Sequence, residues 1–115
     1  MLLDTRVLAD MSSHTGPAVA ADLVAFFIAE SRNLVDAAVR CAEARDYDAV
    51  RRSAHSIKSS AGQFGAFDLQ EAADALERAA QGSSERVDPL VAEMRRVSAA
   101  TLTALERWLE AAAPG

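Results

Sequence analysis

The chain has 115 residues, 50% of them hydrophobic and 25% charged, and carries a net charge of −5. That length is one domain's worth of chain (residues 1–115), with enough apolar content for a core without disulfide staples. The acidic balance argues against nucleic-acid binding and against docking on anionic membranes. Cys41 is the single cysteine, which excludes an internal disulfide and fits a small core residue in a reducing, cytoplasmic setting. The opening MLLDTRVLAD has acidic residues where a signal peptide needs a basic region. No run approaches the roughly 18–20 apolar residues that cross a bilayer.

Few aromatics, abundant alanine, five glycines and three prolines point to an all-helical protein. Leu2, Leu3, Val7, Leu8 and Met11 recur at helical spacing and predict a short amphipathic helix over 2–11. Ser12 to Pro17 reads as a turn, and Pro17 suits the first position of a helix, where its missing N–H costs nothing. That second helix is expected from about Pro17 to Arg45. Its main stripe is read as Leu23, Phe26, Phe27, Leu34, Ala38 and Ala42, widened by Val24, Ile28, Val35 and Val39. Around LVAFFI the helix is apolar nearly all the way round, so either the first helix covers the excess or part stays open for a partner.

Asp46 is placed to cap a third helix, with Asp48 in its first turn. This helix ends near Gly62 or Gly65, where glycine frees the backbone. A fourth spans about Phe67 to Ala80, with Leu69, Ala72, Ala73, Leu76 and Ala80 inward. The last runs from about Ser84 to Ala112 on Val87, Leu90, Val91, Met94, Val97, Thr101, Leu105, Trp108 and Leu109. Pro89 either leaves an irregularity near its start or shifts that start to about Asp88. Ala111 to Gly115 are expected to fray. Four long amphipathic helices with short connections predict an antiparallel four-helix bundle, with the short N-terminal helix over one end.

The stretch 54–66, AHSIKSSAGQFGA, carries the chemistry. At about 100° per residue, Asp48, Arg51, His55, Lys58, Ser59 and Gly62 share one side of the third helix. Val50, Ala54, Ile57, Ala61 and Phe64 share the other. The apolar side must pack, so His55 faces water, with Lys58 and Ser59 as its neighbours three and four residues on. Lys58 is also the only lysine in the chain. His14 lies in a Ser/Thr/Gly loop and reads as merely solvated.

This stretch resembles the signature of histidine-containing phosphotransfer (HPt) domains. The resemblance rests on Ala54, His55, Lys58, Ser59, Ser60, Ala61, Phe64, Gly65 and Ala66, and continues through Leu69, Ala73, Leu76 and Glu77. It implies a phosphoryl carrier in a multistep phosphorelay, with no kinase or phosphatase activity of its own. His55 would accept the group from a receiver-domain aspartate or a hybrid histidine kinase and pass it to another receiver domain. Lys58 would stabilise the phosphoryl oxygens, and no cofactor is implied beyond Mg²⁺ on the partner receiver. Ser59 stands where glycine is commonest in the family; with Gly62 it would let a receiver approach closely. Glu77 matches a polar position that orients the imidazole in some relatives, the other reading being a solvated glutamate.

Arg51 and Arg52 either steer an acidic receiver surface or form a charge network with Asp48. Leu23 and Phe27 on the second helix are expected to contribute to the receiver-binding face. The alternative function is a non-catalytic helical adaptor that binds receivers without accepting phosphoryl groups. The dimerisation bundle of histidine kinases is a poorer comparison. There the reactive histidine is followed by an acidic residue and then a proline, whereas Ser56 follows His55 and the next proline is Pro89. A monomer is therefore expected.

Overall fold

The computed structural model describes residues 1–112. Its elements are α1 (Thr5–Thr15), α2 (Pro17–Glu43), α3 (Tyr47–Gln63), α4 (Phe67–Gly82) and α5 (Val87–Ala112), with a single 3₁₀ turn, Ser84–Arg86, leading into α5. The helices form an antiparallel four-helix bundle in which α3 packs on α2 and α4, and α5 closes the ring against the same two. The additional helix α1 lies against α2. At about 1.5 Å per residue, the 27 residues of α2 account for most of the 47 Å long axis.

Local signals explain the helix boundaries. Pro17 opens α2 at its first turn. Arg45 adopts a left-handed backbone, φ 57°, which turns the chain out of α2. The Asp46 side chain then accepts from the Ala49 amide at 3.2 Å and caps α3. α3 ends at Gln63, between the two candidate glycines: Gly62 stays inside the helix, and Gly65, with φ 74°, turns the chain just beyond its end. Pro89 sits in the first turn of α5, and the irregularity it imposes is absorbed by the preceding 3₁₀ turn.

Two sequence expectations are corrected here. The first helix runs from Thr5 to Thr15 rather than over 2–11. Asp4 accepts from the Arg6 amide and caps its start, and residues 12–15, His14 among them, continue the helix to its cap at Gly16 instead of forming a turn. Residues 1–4 instead cross the α3–α4 turn, where Asp4 N–H donates to Gly65 O at 2.9 Å and Asp68 N–H to Met1 O at 3.0 Å. The buried stripe of α2 also differs from the one read from apolar residues alone. It runs through Ala20, Val24, Phe27, Ile28, Ser31, Val35, Ala38 and Ala42, leaving Leu23 and Phe26 outside. Ser31, a buried hydroxyl in mid-stripe, breaks the apolar pattern. Ser98 is likewise buried on α5, joined by Leu102.

The core runs the length of the bundle, from Leu8 and Val24 at the α1 end through Ile57 and Leu76 to Ala42, Val50 and Val87 where α2 ends and α3 and α5 begin. At the end nearer α1, the rings of Phe27 and Phe64 stack with centroids 4.5 Å apart. This contact ties α2 to the end of α3 and fixes the depth at which the wet face of α3 stands.

Candidate functional site

Val50, Ala54, Ile57 and Ala61 bury one stripe of α3, which turns His55 outward. The His55 side chain is 58% exposed although its ring is held. Nδ1 lies 2.6 Å from Glu77 Oε2, reaching across from α3 to α4. The other carboxylate oxygen, Oε1, accepts from Lys58 Nζ at 2.5 Å. Glu77 is buried, its side chain only 10% exposed, so both oxygens of a carboxylate largely removed from water are satisfied by these two donors. The Lys58 hydrogen bond first, and then the one from His55, hold its carboxyl below the usual glutamate range against the opposing effect of burial. In turn the bond to Glu77, followed by the weaker one to Asp74, raises Lys58 above the ordinary lysine value.

An ionised carboxylate only accepts, so Nδ1 carries a proton, and the ring in its neutral form presents its lone pair at Nε2. Among the described residues, no hydrogen bond involves Nε2. The arrangement is a nucleophilic nitrogen directed away from its anchoring carboxylate, with a fixed tautomer and a cation one helical turn away.

Of the other residues singled out in the sequence, Ser59 is exposed one turn beyond His55. Gly62 faces α4, where a Cβ would meet the end of the Gln70 side chain. Arg51 and Arg52 both bond Asp48, Arg51 NH2 at 3.0 Å, so the charge network forms. The Arg51 hydrogen bond is the main cause of the lowered Asp48 pKa. The two guanidiniums share one carboxylate and leave a net positive charge beside His55. Leu23 is 40% exposed and remains available at the surface. Phe27 is 3% exposed and belongs to the core, so its place on an open face is corrected to Phe26, which is 68% exposed. Leu23, Phe26 and Glu30 line a groove with Ser60, Gln63 and Phe64, on the flank of α3 nearest α2, and the buried Phe27 ring forms part of its floor.

Asp74 and Arg78 escaped the sequence reading. Asp74 Oδ1 lies 3.4 Å from Lys58 Nζ, and its Oδ2 lies 3.2 Å from Arg78 Nε. Their signal was the i, i+3 spacing of Asp74 and Glu77 on the face of α4 that meets α3, with Arg78 four residues beyond Asp74. Among the described residues, no three His, Cys, Asp or Glu side chains group as a metal site, and no helix is long and apolar enough to cross a membrane.

A four-helix bundle displaying one oriented, solvent-facing imidazole with a neighbouring lysine defines the class of histidine-containing phosphotransfer bundles. The chain belongs to the Hpt domain family, whose model matches residues 22–113. In structure it is similar to histidine-containing phosphotransfer protein B (HptB) from Pseudomonas aeruginosa PAO1, with a TM-score of 0.89 and 26% sequence identity over 95% of each chain. No curated protein sequence matches it. The protein is thus a histidine phosphotransfer protein of the kind that works with receiver domains in phosphorelays.

Proposed function

We propose that His55 is the phosphoryl-carrying residue and that the protein shuttles the group between the aspartates of receiver domains. The observation that carries this reading is the His55–Glu77 hydrogen bond, which leaves Nε2 as the free nucleophile. In the forward step, the Nε2 lone pair attacks phosphorus and the bond to the donor aspartate breaks, releasing its carboxylate. The imidazole becomes positively charged as it loses electron density, and its Nδ1 proton stays on the ring, facing the Glu77 carboxylate. No proton needs to move, and the charge that develops falls beside a preorganised anion. The reverse step returns the group to a receiver aspartate along the same path. Lys58 supplies positive charge to the phosphoryl oxygens, and Mg²⁺ belongs to the receiver.

Docking is assigned to the wet face of α3, with Leu23 and Phe26 on α2 adding apolar contact and Arg51 and Arg52 steering an acidic partner. Donors include a hybrid histidine kinase through its receiver domain. The protein acts as a monomer, residues 1–115 forming one domain in the cytoplasm.

The test is to treat the protein with phosphoramidate, map the modified residue, and then add receiver domains from the same source with Mg²⁺. Label on His55 that passes to one or a few receivers is the expected result. Labelling of His55 no better than of His14, with no receiver taking the group, overturns the reading in favour of an adaptor that only binds.

A further inference from the structure

The α3–α4 seam holds a line of charged groups in which each carboxylate is shared by two donors. Glu77 accepts from His55 and Lys58. Asp74 accepts from Lys58 through one oxygen and pairs with Arg78 through the other. Lys58 is the one donor gripped by both carboxylates, and its departure strands neither. Glu77 would keep His55, and Asp74 would keep Arg78. For Glu77 this matters, because a buried carboxylate stripped of every partner is costly.

Lys58 Nζ is bonded to α4, not to the imidazole, while Nε2 is the ring nitrogen remote from Glu77. A phosphoryl group there brings close to two negative charges within the sweep of a four-carbon side chain rooted one turn away. The group competes with Asp74 and Glu77 for a single ammonium.

We propose that Lys58 has two positions, parked on the Asp74 and Glu77 carboxylates while His55 is free and released to the phosphoryl oxygens when His55 is loaded, with Asp74 and Arg78 as positioning residues that set the balance. The inference rests on the reading of His55 as the phosphoryl carrier. Its consequence is a pair of opposite effects. Asp74→Asn removes a competitor for Lys58 and favours the released position. Arg78→Gln leaves Asp74 with Lys58 as its remaining cation and favours the parked one. Neither residue hydrogen-bonds His55.

Because Lys58 is the only lysine of the 115 residues, isotope-labelled lysine gives one side-chain Nζ signal in this chain. That signal is followed by NMR before and after phosphorylation with phosphoramidate, in the wild type and both variants, with a His55→Gln control. A displacement on phosphorylation that is absent from the control is expected. In the phosphorylated state, the ratio of released to parked Lys58 should rise about two- to fivefold in Asp74→Asn and fall by a similar factor in Arg78→Gln, as the strength of partly exposed ion pairs dictates. A Lys58 signal that does not move although His55 is labelled overturns the inference alone, as do shifts of the same sign in both variants. Failure to label His55 at all removes the phosphotransfer reading and this inference with it.

Discussion

Nδ1 of His55 and Oε2 of Glu77 meet at 2.6 Å across two helices, and this bond decides which ring nitrogen is free to react. Glutamine at position 77 could still accept from Nδ1 but would not carry the charge that steadies an imidazolium. A charge-assisted hydrogen bond is roughly twice as strong as a neutral one. Glu77→Gln should therefore fold normally and label with phosphoramidate about tenfold more slowly, a change of roughly 1.4 kcal/mol in barrier. Glu77→Ala, which removes the acceptor as well, should be slower still. Labelling rates at fixed donor concentration, with circular dichroism to verify folding, check both. Equal rates in all three proteins would show that the carboxylate has no part in the chemistry.

The same carboxylate links stability to pH. Its folded pKa is depressed, chiefly by the Lys58 hydrogen bond, so the folded state holds the ionised form more tightly than the unfolded chain does. The stabilisation is fully present above the ordinary glutamate range and is lost as pH falls through the depressed folded value. Wild type should lose melting temperature across that acidic window. Glu77→Gln should lose less, since it has no such group to protonate. The difference between two melting curves measured from neutral to acidic pH isolates the contribution from the other acids.

Adjacent phenylalanines on α2 should behave in opposite ways. Phe27 is buried and stacked on Phe64, so Phe27→Ala should cost about 3–5 kcal/mol of unfolding free energy. Phe26 is largely exposed, and Phe26→Ala should change stability by no more than about 0.5 kcal/mol while slowing transfer to a cognate receiver. Chemical denaturation reads the first effect and a transfer time course the second. A large stability loss at Phe26 would move it from the docking face to the core.

How much was legible in the sequence follows from what each residue needs. Asp46 and Pro17 act within their own turns, so the starts of α3 and α2 were readable. The outward placement of His55 was readable because Val50, Ala54, Ile57 and Ala61 leave one face for water. The choice between Phe26 and Phe27 was not. Both lie in a run apolar on every side, and the buried line passes through Ser31, which no hydrophobicity pattern selects. Nor was the role of Asp74, which depends on how far α4 slides along α3. That register is set by the packing of α3 on α4 in the core, to which Ile57, Leu69 and Leu76 belong, rather than by anything local.

Gly62 and Gly65, three residues apart, flank the end of α3 at Gln63, and substitution should separate their roles. Gly65 has φ 74°, and a Cβ there would lie 2.6 Å from Asp4 O and 3.0 Å from Val7 Cβ. Neither the backbone conformation nor the packed N-terminal segment can give way easily. Gly65→Ala should thus cost about 1–3 kcal/mol and loosen residues 1–4, whose Asp4 amide bonds Gly65 O. Gly62 has helical geometry, and its added methyl would meet only the flexible end of Gln70. There the gain in helix propensity, up to about 1 kcal/mol, offsets the displacement of one side chain, leaving Gly62→Ala near neutral. Denaturant titration gives both stabilities, and amide hydrogen exchange at Asp4 and Asp68 reports whether the N-terminal segment has come away. A Gly65→Ala protein as stable as wild type, with those amides still protected, would mean that the close approach at Gly65 is not what anchors the N-terminal segment to the α3–α4 turn.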